Sequence, residues 1–210
     1  MRPYTQCLSW LALSLFSASA VASSALFGFE QSSRPNLDLF PQWLSVLERH
    51  LIEMAPAGDC EQTTFNRCHL KTWMRSLESM RGLSREEQVR TVNRFANQQK
   101  YVLDLENYGV DDYWATPLQF LEQNGDCEDY AIIKMLSLKR LGFDVADMRI
   151  VVVQDTNLRI PHAVMSLHLQ DDIKILDNQI SEVISHRDIY HYTPIYSINE
   201  QNWWMHLPKL

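Results

Sequence analysis

The chain is 210 residues long and 46% hydrophobic, with 19 Lys+Arg against 26 Asp+Glu and a formal net charge of -7. That length suits one domain with a sizeable core, and 6 Gly with 8 Pro exclude collagenous or low-complexity material. The acidic balance argues against a nucleic-acid partner, which needs a basic face.

Met1-Arg2-Pro3 is a short positive region, and the stretch from Cys7 to Phe16 is mostly apolar. Small residues follow, from Ser17 to Ala25. This pattern predicts a secretory signal peptide over residues 1–25, too short for a membrane span, with cleavage after Ala20, Ser23 or Ala25. A retained N-terminal anchor is the alternative. Residues 26–210 then form a single domain, exported and not inserted in the membrane. Cleavage removes Cys7 and leaves Cys60, Cys68 and Cys127. In an oxidising compartment Cys60 and Cys68 are expected to pair, which leaves Cys127 as a potentially reactive thiol.

Helical periodicity runs from Asp38 to Met54, with Trp43, Leu44, Leu47, Leu51 and Met54 as the expected inner stripe. A second helix is predicted over Phe65 to Met80, with Leu70, Trp73, Met74 and Leu77 inward. Ser84-Arg85-Glu86-Glu87 reads as a capping box opening a third helix. Thr116-Pro117 opens another, ending at Asn124-Gly125. Beyond Gly142 the character changes. Met148 to Val153 is β-branched, His162 to Leu169 alternates, and Gln170-Asp171-Asp172 turns the chain into a partner strand ending at Asp177. Helices followed by antiparallel strands imply an α+β domain.

The chemistry concentrates in Asn124-Gly125-Asp126-Cys127-Glu128-Asp129-Tyr130. Asp126 suits a helix N-cap, which puts Cys127 at the first helical position, where the dipole favours a thiolate and free N–H groups can stabilise an oxyanion. The hairpin register sets Asp177 opposite Val164 or Met165, within about two residues of His162. A cross-strand carboxylate there orients the imidazole that a nucleophilic thiol requires. The carboxylates of Asp126, Glu128 and Asp129 oppose a thiolate unless a cation sits among them, and hard oxygen ligands in a short turn suit Ca²⁺ better than zinc.

These residues resemble those of the bacterial transglutaminase-like cysteine proteinases, in particular the LapG-type periplasmic branch. The resemblance rests on Val92 to Asn97, Asp112 to Pro117, Gly125 to Ala131, Pro161 to Val164, Leu176-Asp177-Asn178 and Pro194 to Asn199, in that order. It implies a papain-like, transglutaminase-like core. Cys127 would be the nucleophile, His162 the general base and acid, and Asp177 the orienting residue. It also implies calcium held by Asp126 and Glu128, with Asp129 a less certain ligand. The substrate it implies is a large RTX-type surface adhesin, cut near its N-terminus to release cells from a biofilm. The implied regulator is the periplasmic domain of an inner-membrane c-di-GMP receptor. The other readings are a transglutaminase-type acyl transferase with the same triad and a calcium-dependent binding protein whose triad is vestigial. The tryptophan pair Trp203-Trp204 is either a docking patch or the packing of a terminal segment.

Overall fold

The computed structural model describes residues 25–55 and 68–209. The predicted signal segment, save Ala25, and the Cys60 half of the predicted pair lie outside the described residues. Among the described residues no helix is long and apolar enough to cross a membrane.

Among the described residues, strand β1 (Glu30–Arg34) precedes the helices α1 (Pro41–Met54), α2 (Cys68–Met80), α3 (Arg85–Asn97), α4 (Asp104–Asn107), α5 (Pro117–Gln123) and α6 (Cys127–Arg140). The remaining strands are β2 (Met148–Asp155), β3 (Ile160–Leu169), β4 (Asp172–Leu176), β5 (Ile184–Ser185), β6 (Tyr192–Ile198) and β7 (Trp203–Leu207). They make one antiparallel sheet in the order β1-β7-β6-β2-β3-β4-β5. The domain is therefore α+β, as the sequence implies. Only β1 departs from helices-then-strands. Its five polar residues show no alternation, and it exists because β7 offers it a free edge.

Local chemistry sets the helix starts. Ser84 Oγ accepts the Glu87 N–H while Glu87 Oε2 accepts that of Ser84, the reciprocal box that opens α3. Thr116 and Gln119 repeat it for α5, with Pro117 at the first position. The inner face of α1 differs from the expected stripe: Leu51 is 74% exposed and Leu44 is exposed, while Trp43 and Val46 are buried. The helix is rotated because its polar residues find partners across the interface. Arg49 donates to Tyr113 Oη at 3.0 Å, to the Trp114 carbonyl at 2.6 Å and to Gln119 Oε1, and Glu53 Oε1 accepts from Thr116 Oγ1 at 2.8 Å. In α2 the fourth inner residue is Met80, and Met74 lies on the exposed side.

The central helix α6 packs on β3 and β2, with α3 and α5 against its other sides. Every residue from Glu128 to Leu138 is buried, which explains why its sequence has no polar face. Each buried Ile, Leu or Met here contributes roughly 1.5–3 kcal/mol. The opposite face of the sheet is closed by Leu26, Ile189 and Tyr192 over Val151, Val153, Val164, Ile173 and Ile175. At the end of the chain Trp203 packs into the main core beside Phe40, and the Arg149 guanidinium covers Trp204 at 3.7 Å, so the tryptophan pair secures a terminal strand.

Candidate active site

The start of α6 is shaped by a close approach. Asn124 takes a positive φ, 66, where α5 ends. Gly125 does not; its requirement is space, because a Cβ there would lie 2.1 Å from Asp129 Oδ2. That buried carboxylate accepts the Ala115 N–H at 2.7 Å and the Asp126 N–H at 3.3 Å. It ties the first turn of α6 to the loop before α5. Gly125→Ala is expected to displace it and lose both bonds, at about 1.5–3 kcal/mol each for a charged acceptor. Calorimetry should show the thermal midpoint falling by roughly 6–24 °C.

Cys127 follows at the first helical position, beside Asp126, Glu128 and His162 in a cleft of about 500 Å³. Tyr101, Leu103, Trp114, Ile160 and Tyr196 form the cleft walls. Its thiol donates to Glu128 Oε2 at 3.2 Å. Burial, then the charges of Glu128 and Asp126, hold this thiol well above its ordinary pKa, and the Ala163 backbone N–H on β3 partly offsets them. The dipole advantage of the helix start is outweighed here by the acids around it.

The β3–β4 register pairs Met165 with Leu176, so Asp177 falls just past β4, across from Val164 on the face that carries His162. The sequence reading of the hairpin predicts this location. His162 is 2% exposed and Asp177 1% exposed, and His162 Nε2 lies 2.9 Å from Asp177 Oδ1. Asp177 Oδ1 also accepts the Gln179 N–H at 2.9 Å, and Oδ2 accepts the Tyr192 hydroxyl at 2.6 Å. Burial raises the Asp177 pKa, but the hydrogen bond and charge of His162, with help from Tyr192 and Gln179, bring it below the usual value. An ionised carboxylate there favours the imidazole proton on Nε2, and Nδ1 lies 3.5 Å from Gln179 Nε2. Behind the strand end, Asn97 Nδ2 donates to the Asp177 carbonyl at 2.8 Å. This gives a physical reason for Asn97 within the Val92 to Asn97 block.

The acidic side of the cleft holds more than the sequence indicates. Asp104 and Asp112, distant in the chain, bring carboxylate oxygens within 4.8 Å of one another and of Glu128, and Asp104 and Asp126 form a second such group with Asp129. Asp104 Oδ1 and Asp126 Oδ1 are buried without partners among the described residues. Burial and neighbouring acids push Glu128 up to about 10 and Asp104 to about 6. Crowded, orphaned, hard oxygens fit a divalent cation such as calcium. Asp126, Glu128, Asp104 and Asp112 could hold it, whereas Asp129 is engaged by two backbone N–H groups. The sequence hint for Asp112 was its place immediately before Tyr113-Trp114; Asp104 gave none.

Residues 54–209 match the family described as bacterial transglutaminase-like cysteine proteinase BTLCP. Among solved structures, Legionella pneumophila LapG is similar, with 28% identity and a TM-score of 0.60 over 76% of this chain and 87% of that one. Its calcium-bound form has a TM-score of 0.61 over the same shares. Its EGTA-treated form gives 0.60, with 84% of that chain covered. No curated protein matches the chain at a significant level.

Proposed function

The chain belongs to the bacterial transglutaminase-like cysteine proteinases, and from that membership we propose that it is a calcium-dependent periplasmic endopeptidase. Its substrate in this reading is a large surface adhesin of RTX type, cut near its N-terminus to release cells from a biofilm. The periplasmic domain of a c-di-GMP receptor restrains it. The single observation that carries the proteolytic reading is the buried His162–Asp177 hydrogen bond beside the cleft that Cys127 lines.

In this reading Cys127 Sγ gives its proton to His162 Nδ1 and attacks the scissile carbonyl carbon, forming the Sγ–C bond. N–H groups at the start of α6 stabilise the oxyanion. His162 returns the proton to the departing amine as the C–N bond breaks, and Asp177 holds the ring in register throughout. Water, deprotonated by His162, then cleaves the thioester and frees the thiol. Asp126, Glu128, Asp104 and Asp112 are the residues that would hold calcium, which when bound supplies positive charge against the acids around the thiol. The calcium-bound and EGTA-treated LapG structures support that choice of ion.

The test is incubation of the purified protein with N-terminal adhesin fragments. Calcium should yield one defined cut, and EGTA should suppress it at least tenfold, with recovery on adding calcium back. Calorimetric titration should show calcium binding that Asp126→Ala and Glu128→Ala weaken. Full cleavage in EGTA would remove calcium from the mechanism, and transfer to an added amine in place of hydrolysis would reveal an acyl transferase.

A further inference from the structure

The Asp177 carboxylate is held by a side chain that takes no part in the reaction above. Tyr192 opens β6 and is 4% exposed. Its hydroxyl donates to Asp177 Oδ2 at 2.6 Å. Its ring centroid lies 5.7 Å from that of His162, at an interplanar angle of 55°. One residue therefore touches both the carboxylate and the imidazole. His162 Nε2 and the Gln179 N–H take Oδ1 while Tyr192 takes Oδ2, so bonds to both oxygens stop the carboxylate from rotating about its Cβ–Cγ bond. Burial and the charge of Asp177 push the Tyr192 hydroxyl pKa upward, so it stays a donor through neutral pH.

Tyr192 is itself held from the sheet face opposite α6, where the turn Leu26–Gly28 packs. The Phe27 ring meets Tyr192 at 6.0 Å and 87°, and His186 at 6.1 Å and 72°. The Phe27 N–H donates to His186 Nδ1 at 3.0 Å. Phe27 adopts φ 51 and ψ 22, the left-handed region that a bulky residue enters only when its surroundings impose it. The strained turn sets the Phe27 ring against Tyr192. The other titratable groups around Asp177 and Tyr192 are His162 from β3, Cys127 and Lys134 from α6, and Asp155 from the end of β2. His191 packs on the tyrosine ring, and Asn97 of α3 adds a neutral amide.

We propose that Tyr192 is a positioning residue for the proteolytic step: its hydroxyl fixes the Asp177 carboxylate, its ring backs the His162 imidazole, and Phe27 braces it from the N-terminal turn. The role rests on the reading of Cys127, His162 and Asp177 as catalytic. It gives the turn before β1, which forms no wall of the cleft, a part in the rate.

The test is NMR of the Asp177 carboxyl carbon and the His162 ring nitrogens in a Cys127→Ala protein, which needs no substrate. Tyr192→Phe keeps the ring and removes the donor. It should raise the Asp177 midpoint by about one pH unit and let the Nδ1–H tautomer of His162 appear. With Cys127 present, the same substitution should lower kcat by about 10–100-fold while KM changes less than about twofold. Phe27→Ala should move both signals the same way and lower kcat by about 2–10-fold, and Phe27→Tyr, which keeps the ring, should restore them. Unmoved signals in a folded Tyr192→Phe protein overturn the inference. If that variant does not fold, Phe27→Ala decides, and unmoved signals there overturn it. Signals moved by Tyr192→Phe but not by Phe27→Ala remove the brace assigned to Phe27. Signals that move while the Cys127-intact parent cleaves nothing uphold the role of Tyr192 at Asp177 and remove the proteolytic reading instead.

Discussion

Cys127→Ala is expected to lower kcat/KM on an adhesin fragment by about 10⁴-fold or more, with the fold retained. Removing the nucleophile leaves at most the oxyanion donors and substrate positioning, which cannot form an acyl-enzyme. The substitution removes a thiol held beside two carboxylates whose charges oppose its ionisation. The thermal midpoint should therefore stay the same or rise slightly, and calcium binding should persist because Asp126 and Glu128 remain. Activity within tenfold of the parent would exclude Cys127 as the attacking group.

Asp177→Asn should cost roughly 10³–10⁴-fold in kcat with little change in KM. The carboxylate accepts from three directions: His162 Nε2, the Gln179 N–H and the Tyr192 hydroxyl. An amide keeps these contacts only with its oxygen toward His162 and Gln179 and its NH₂ toward the Tyr192 hydroxyl, which must then turn from donor to acceptor. If the NH₂ faces His162, Nε2 becomes an acceptor and the proton moves to Nδ1, leaving no lone pair for the thiol. A shift of the His162 ring nitrogens to the Nδ1–H tautomer is the spectroscopic check. Unchanged kcat would show that the imidazole is oriented by other contacts.

Much of this arrangement was legible because it is local. The capping boxes at Ser84 and Thr116 lie within four residues, and the turn at Gln170 fixes the β3–β4 register, which brings Asp177 to His162. The Gly125 to Tyr130 block was legible as chemistry, although the reason for its glycine, the space taken by Asp129, was not. The parts that escaped depend on distant chain. Asp104 reaches the acidic cluster through a four-residue helix with no apolar period. The inner face of α1 follows the bonds of Arg49 and Glu53 to residues 113–119, which hydrophobicity does not encode. Lys134 reads as a surface residue until β2, β3, α3 and α5 are seen to enclose its helix.

The pairing of Glu30 with Leu207 and of Arg34 with Trp203 joins the two ends of the domain. β1 has no β7 edge to bond until residue 207 has been made, so the outermost pair of the sheet cannot form before then. Contacts this distant in sequence form slowly and place the last step of folding at the strand edge. With that wiring, a single cut or crosslink beside either strand would unfasten or lock the same seam.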